Sequence, residues 1–240
     1  MSYAVDSYYG DGHSVASRPA SVRAAFVKRT YLHLGGAILA FVAIEAALIS
    51  SGVALDIVKT MFVGRAAWIG LMVLFIGGGY VAQYMARSGQ SVGVQYAGLS
   101  LYVLLEVLIF LPILTITQLV PQYANVPLQA GMVTLLVCGG LTAGVFLSGK
   151  DFSWMGPIIG VASMLALGLV VASVFLGFNL GLIFSVAMVG LAAAAIIYQT
   201  SNVMHHYGPN EHVAASLALF ASVATMFWYV MRIFMASRDN

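Results

Sequence analysis

The sequence predicts an all-α membrane protein: a seven-transmembrane helix bundle with almost no soluble domain on either side. Composition is the first observation behind this, because 61% hydrophobic residues against 8% charged ones is far outside the range of a water-soluble domain. The second is repetition. Apolar runs close to the ~20 residues that cross a hydrocarbon core of ~30 Å recur along the chain, divided by short breaks rich in Gly, Pro, Ser and Asn. The third is length: seven such helices and their connections use nearly all of the 240 residues, which leaves no room for an appended enzyme domain.

Residues 1–29 read as a polar, flexible N-terminal tail, rich in Ser, Tyr, Gly and Asp in its first part and carrying Arg18, Arg23, Lys28 and Arg29 in its second. A cleavable signal would begin nearer the N-terminus and end at a small-residue cut site, so the apolar run Tyr31 to Ile49 is expected to be the first membrane helix. Further spans are expected at Ala66 to Met85, Val94 to Leu114, Leu128 to Leu147, Met155 to Leu176, Leu180 to Tyr198 with an extension toward His205, and Val213 to Met235. The transmembrane domain then covers 30–236, followed by a short C-terminal tail at 237–240. Small residues four apart, Gly140 with Gly144, Gly156 with Gly160 and Gly181 with Ser185, together with Gly77, Gly78 and Gly79, are expected to let helix backbones approach closely.

Charge sets the orientation. With the N-terminus cytoplasmic, the inner segments hold Arg18, Arg23, Lys28, Arg29, Arg87 and Lys150, and the outer ones Lys59, Arg65, Arg232 and Arg238; this bias fits the positive-inside rule. A net charge of +2 with scattered basic residues does not suggest nucleic acid as a partner. The lipid bilayer is the expected partner. The sole cysteine, Cys138, cannot form a disulfide or a cysteine metal site within one chain.

Glu45 in the first span and Glu106 in the third are expensive in lipid and are therefore functional candidates; Glu45 is read as nearer a helix end, where interfacial water is in reach. Gln199, Asn202 and His206 share one face of the sixth span, and Ser222, Thr225, Tyr229 and Arg232 one face of the seventh. Facing each other, these stripes would make a polar seam, able either to line a wet path or to lock the bundle by hydrogen bonds. His205, His206 and His212 flank the turn from Tyr207 to Asn210, with Glu211 beside them. Adjacent histidines point apart on a helix, so a pH-sensitive interfacial turn is the reading here rather than a metal site. With no glycine-flanked serine elbow, no paired metalloprotease histidines and no phosphate-binding loop, neither an enzyme nor a cofactor is expected.

Three stretches carry a family resemblance: Phe26-Val27-Lys28-Arg29-Thr30-Tyr31, Lys150-Asp151-Phe152-Ser153-Trp154-Met155-Gly156, and the paired last helices ending Tyr229-Val230-Met231-Arg232-Ile233-Phe234. In these the chain resembles the Bax inhibitor family, or transmembrane BAX inhibitor motif proteins, in the manner of a divergent bacterial member. The resemblance implies six helices wrapped around a central last one and an association with cation leak, chiefly of calcium, or with stress and proteolysis control; the short loops and the expected lack of a cleavable signal fit a bacterial inner membrane, with a mitochondrial or reticular membrane as the alternative. It also implies a pair of aspartates on the last two helices as a proton-sensing latch. This chain departs there: the corresponding segments read Tyr198-Gln199-Thr200 and Leu219-Phe220-Ala221-Ser222, and neither Gln199 nor Ser222 titrates. Two function classes follow. One is a calcium or other cation leak with charge selection moved to Glu106 and Glu45; the other is a non-conducting regulator or scaffold of a larger membrane complex or membrane protease, docking through the N-terminal tail.

Overall fold

The computed structural model describes residues 14–87 and 91–239. Eight α-helices follow in order: α1 Ala20–Ser50, α2 Val53–Met61, α3 Arg65–Arg87, α4 Val92–Leu119, α5 Val126–Ser148, α6 Met155–Leu176, α7 Gly181–His205 and α8 His212–Ala236. All but the nine-residue α2 are long and apolar enough to cross a membrane, which gives the expected seven spans. The α5 and α6 helices end on Gly149 and Gly177, at φ of +60° and +73°. That left-handed region costs glycine little and ordinary residues more, so these glycines mark sharp stops.

Burial is uneven, and it identifies the centre. The α4 and α8 helices are mostly buried, whereas α6 buries only Ala166 and is otherwise exposed or half-buried. The α8 helix packs against α1, α3, α4, α5 and α7, while α6 packs mainly on α7. The last helix is therefore central, as expected, but the sheath around it is chiefly five helices, with α6 a peripheral layer. Around the outside, Leu39, Leu136, Leu147, Met164 and Ile183 turn bulky apolar side chains outward, a surface suited to lipid rather than water.

Several elements differ from the sequence reading. The first helix starts at Ala20, ten residues before the expected domain boundary. Helical backbone carries Arg23, Lys28 and Arg29 beyond the apolar run because charged side chains at a helix end can extend into the interface. Ahead of it, a short 3-10 turn at Val15–Ser17 seats Val15 in the core, and the Val15 N–H donates to the carbonyl of Tyr207 at 2.8 Å. The rest of the expected tail, 1–13, lies outside the described residues. At the other terminus, the expected tail is fastened: Arg238 donates to the carbonyl of Gln122 at 2.5 Å and to Gln129 Oε1 at 2.7 Å, while the Tyr123 hydroxyl donates to Asp239.

The glycine pairs are also redistributed. A side chain added at Gly140, Gly144, Gly160 or Gly181 would meet nothing within 4 Å, whereas at Gly156 it would press on the Tyr198 ring. The tightest backbone approach is at Gly98, where a Cβ would lie 2.6 Å from the Ala82 carbonyl oxygen and 2.7 Å from the Ala86 nitrogen. Spacing of small residues on one helix does not say which face meets a partner; burial of Ala82 and Ala86 on α3 against Gly98 on α4 does.

Candidate functional site

The α4 helix supplies the inner wall. Leu99, Tyr102, Val103, Glu106, Phe110 and Leu114 recur three and four residues apart and are all buried, so they form one inward stripe. Glu106 is 5% exposed, and the Tyr102 hydroxyl one turn earlier donates to its carboxyl. On that stripe Tyr102 meets the ring of Phe220 at 6.2 Å, and Phe110 meets Phe227 at 5.4 Å and Trp228 at 5.1 Å. Glu106 lies midway between Tyr102 and Phe110, and so at the level of the α8 stretch between Phe220 and Phe227. That stretch contains Ser222 and Thr225.

Aromatic rings close the space beside it. Phe41 of α1 packs edge-on against Phe110 at 5.0 Å and against Phe220 at 6.3 Å, joining α1, α4 and α8 in one cluster. Each such ring pair stabilises the junction by about 0.5–1.5 kcal/mol beyond area burial. Glu45 sits one turn beyond Phe41 on α1. It is 3% exposed, and both carboxyl oxygens are buried without a hydrogen-bond partner, so the expected reach to interfacial water is not made. A carboxyl in that setting is costly, which makes the residue hard to explain as packing.

The two polar stripes do not meet residue for residue. Ser222 Oγ donates to the Ala218 carbonyl at 3.0 Å and Thr225 Oγ1 to the Ala221 carbonyl at 2.8 Å, both within α8. The α7 and α8 helices run antiparallel from the turn at 206–211, so Asn202 lies about 15 Å lower along the bundle axis than Thr225, and Gln199 about 6 Å lower than Ser222, at 1.5 Å per residue. Gln199 instead accepts from the Tyr207 hydroxyl at 3.4 Å. The lower stripe belongs to the turn, the upper one to the level of Glu106.

At the turn, the residue that sequence reasoning missed as a site is Asp151. Its carboxylate accepts from the Ser153 N–H at 2.8 Å, from Ser201 Oγ at 3.2 Å and from His206 Nε2 at 2.9 Å, while Ser201 Oγ accepts from the Phe152 N–H at 2.8 Å. Partial burial alone would raise the Asp151 pKa, but the Ser153 N–H and the His206 contact outweigh it and hold the carboxyl at about 2. The Lys-Asp-Phe-Ser turn is thus clipped to the end of α7. The three histidines have different partners: His206 pairs with Asp151, His212 lies edge-on to the His33 ring at 5.0 Å, and His205 buries Nε2 with its ring edge-on to that of His206 at 6.4 Å.

Comparison with known proteins agrees with this architecture. The family model described as "Inhibitor of apoptosis-promoting Bax1" matches residues 23–239. An uncharacterised protein of Pseudomonas aeruginosa is 32% identical over 124 residues, covering 51% of this chain and 55% of its own length. The BI1-like protein of Arabidopsis thaliana is 36% identical over 118 residues, 45% of this chain and 44% of its own. The "Modulator of FtsH protease YccA" of Escherichia coli is 30% identical over 126 residues, 48% and 57%. The matched stretch thus spans about half the length of these relatives. With the family model matched along nearly the whole transmembrane bundle, the chain belongs to the Bax inhibitor family.

Proposed function

We propose that the protein is a cation leak of the bacterial inner membrane, with its N-terminus cytoplasmic, in which Glu106 and Glu45 select charge in place of the titrating aspartate pair. The observation that carries this reading is Glu106: a carboxyl at mid-helix, turned inward, level with Ser222 and Thr225 of the central helix. An acidic side chain at that depth is a functional candidate by default, ion pathways among its roles, and carboxylates lining a wet cavity favour cations. Ser222 and Thr225 spend their protons inside α8, which keeps their oxygens as acceptors toward a hard cation such as calcium. The Phe41, Phe110 and Phe220 cluster is the hydrophobic constriction that holds the path shut. Calcium and potassium entry into sealed liposomes tests this: Glu106→Gln abolishes the flux under the proposal, and flux equal to empty liposomes for the unaltered protein would sink it.

A second reading is regulation of a membrane protease, which the name of the Escherichia coli relative favours. Under it, the chain docks on a membrane partner through its N-terminal tail. Co-purification from native membranes, with and without residues 1–13, separates the two: a stoichiometric partner lost on truncation supports regulation.

A further inference from the structure

Beside the central cluster, on the end of the bundle where α1 begins, two cavities lie side by side with His33 as their shared wall. One is polar, about 620 Å³, and is lined by Arg29, His33, Ser91, Tyr96, Asn210 and His212 among others. The other is an apolar groove of about 410 Å³ between α1 and α4, with Gly36, Ala40 and Ile44 on one side and Leu99 and Val103 on the other. His33 borders both.

The polar cavity is built for an anion. Two long helices begin at it: α4 at Val92, where Ser91 Oγ already accepts from the Val94 N–H at 3.3 Å, and α8 at His212, which has no side-chain cap; helix N-termini present N–H groups and partial positive charge. Arg29 adds a full charge at the rim, and among the described lining residues there is no Asp or Glu. The nearby Glu211 carboxylate is engaged by the Gly208 N–H at 2.6 Å. His33 is fixed in place: Nδ1 donates to the Arg29 carbonyl at 2.6 Å, and Nε2 pairs with the Tyr96 hydroxyl at 2.8 Å. His212 is 9% exposed, and its Nδ1 is buried with no hydrogen-bond partner. A polar atom left in that state is one a ligand can satisfy.

The groove says what the anion is attached to. From Leu32 to Ile44 it follows α1 for about 18 Å at 1.5 Å per residue, close to the ~15 Å of one leaflet. A Cβ at Gly36 would meet nothing within 4 Å, so the groove is open there. We propose that α1, α4 and α8 form a site for an anionic phospholipid, its phosphate in the polar cavity and one acyl chain in the groove. Basic pockets between membrane helices recognise acidic headgroups in this way.

The test uses delipidated full-length protein in detergent, with bound lipid counted by native mass spectrometry. Phosphatidylglycerol is expected to be retained about tenfold over phosphatidylcholine of the same chains. Arg29→Gln is expected to weaken phosphatidylglycerol about fivefold and to leave phosphatidylcholine unchanged, with Arg29→Lys restoring most of the preference. Gly36→Leu, which fills the groove where no atom stands in the way, is expected to reduce retention of both lipids. Glycerol 3-phosphate, which has the phosphate without chains, is expected not to compete at concentrations that saturate phosphatidylglycerol. Equal retention of the two lipids by the unaltered protein, an unchanged preference in Arg29→Gln, unchanged retention in Gly36→Leu, or displacement by glycerol 3-phosphate would each overturn the proposal.

Discussion

Replacing Gly98 by alanine adds one methyl group at the tightest helix contact in the bundle. The new Cβ would stand 2.6 Å from the Ala82 carbonyl oxygen, 2.7 Å from the Ala86 nitrogen and 2.9 Å from Met85 Cβ. Ordinary contact begins at 3.4 Å, so the shortfall against the first two is 0.8 Å (3.4 − 2.6) and 0.7 Å (3.4 − 2.7). Both of those atoms are α3 backbone, which no rotamer change can move aside. The α3 and α4 helices must separate by a similar distance, and overpacking of this kind costs about 1–3 kcal/mol. Gly140→Ala is the control, since its Cβ meets nothing within 4 Å. Reversible unfolding in mixed micelles reads both. Gly98→Ala is expected to lose about 1–3 kcal/mol and Gly140→Ala to stay within about 0.5 kcal/mol of the unaltered protein. Equal stability of the two variants would refute the close-approach account of α3 and α4.

Other consequences follow from the ends of the bundle. The Asp151 carboxyl is held at about 2, below its ordinary value near 3.9; the depressed pKa stabilises the fold fully above pH ~4, and this contribution is lost as pH falls toward 2. Because the side chain is 44% exposed, the contribution is about 1 kcal/mol after screening, and in acid titrations of stability Asp151→Asn is expected to remove that part of the pH dependence. Arg238→Ala removes two charge-assisted hydrogen bonds to the 122–129 segment. At a partly exposed site this is worth about 1 kcal/mol, so amide exchange in that segment is expected to quicken about fivefold while α8 stays protected.

Seven membrane spans were legible because each writes itself as a run of ~20 apolar residues. The 53–61 helix was not: nine residues are too short for a span, and Asp56 and Lys59, paired at 3.4 Å, resemble loop polarity until the period of Ala54, Ile57, Val58 and Met61 is read as a face. Glu106 was legible as a candidate because a mid-span acid stands out. Its pairing with Tyr102 could have been found from the i, i+4 spacing. Glu45 was placed too near water, since distance from a helix end does not reveal what packs over that end. Asp151 was read as a family signature only; its role as a clip needs the end of α7 to come back beside it, 50 residues on from Asp151 to Ser201, which no local pattern encodes. The offset between the Gln199–Asn202 and Ser222–Thr225 stripes follows from counting residues to the turn along the extension toward His205 that the sequence reading expects and α7 makes; facing the two stripes by helical period alone leaves that count out.

The most direct measurement of the central claim is calcium entry into sealed liposomes at matched protein density, compared across the unaltered protein, Glu106→Gln and Phe110→Ala. If Glu106 selects the ion and the ring cluster around Phe110 closes the path, the rates rank Phe110→Ala above the unaltered protein, with Glu106→Gln at the level of empty liposomes. Three correctly inserted proteins that all match empty liposomes would contradict conduction by this bundle.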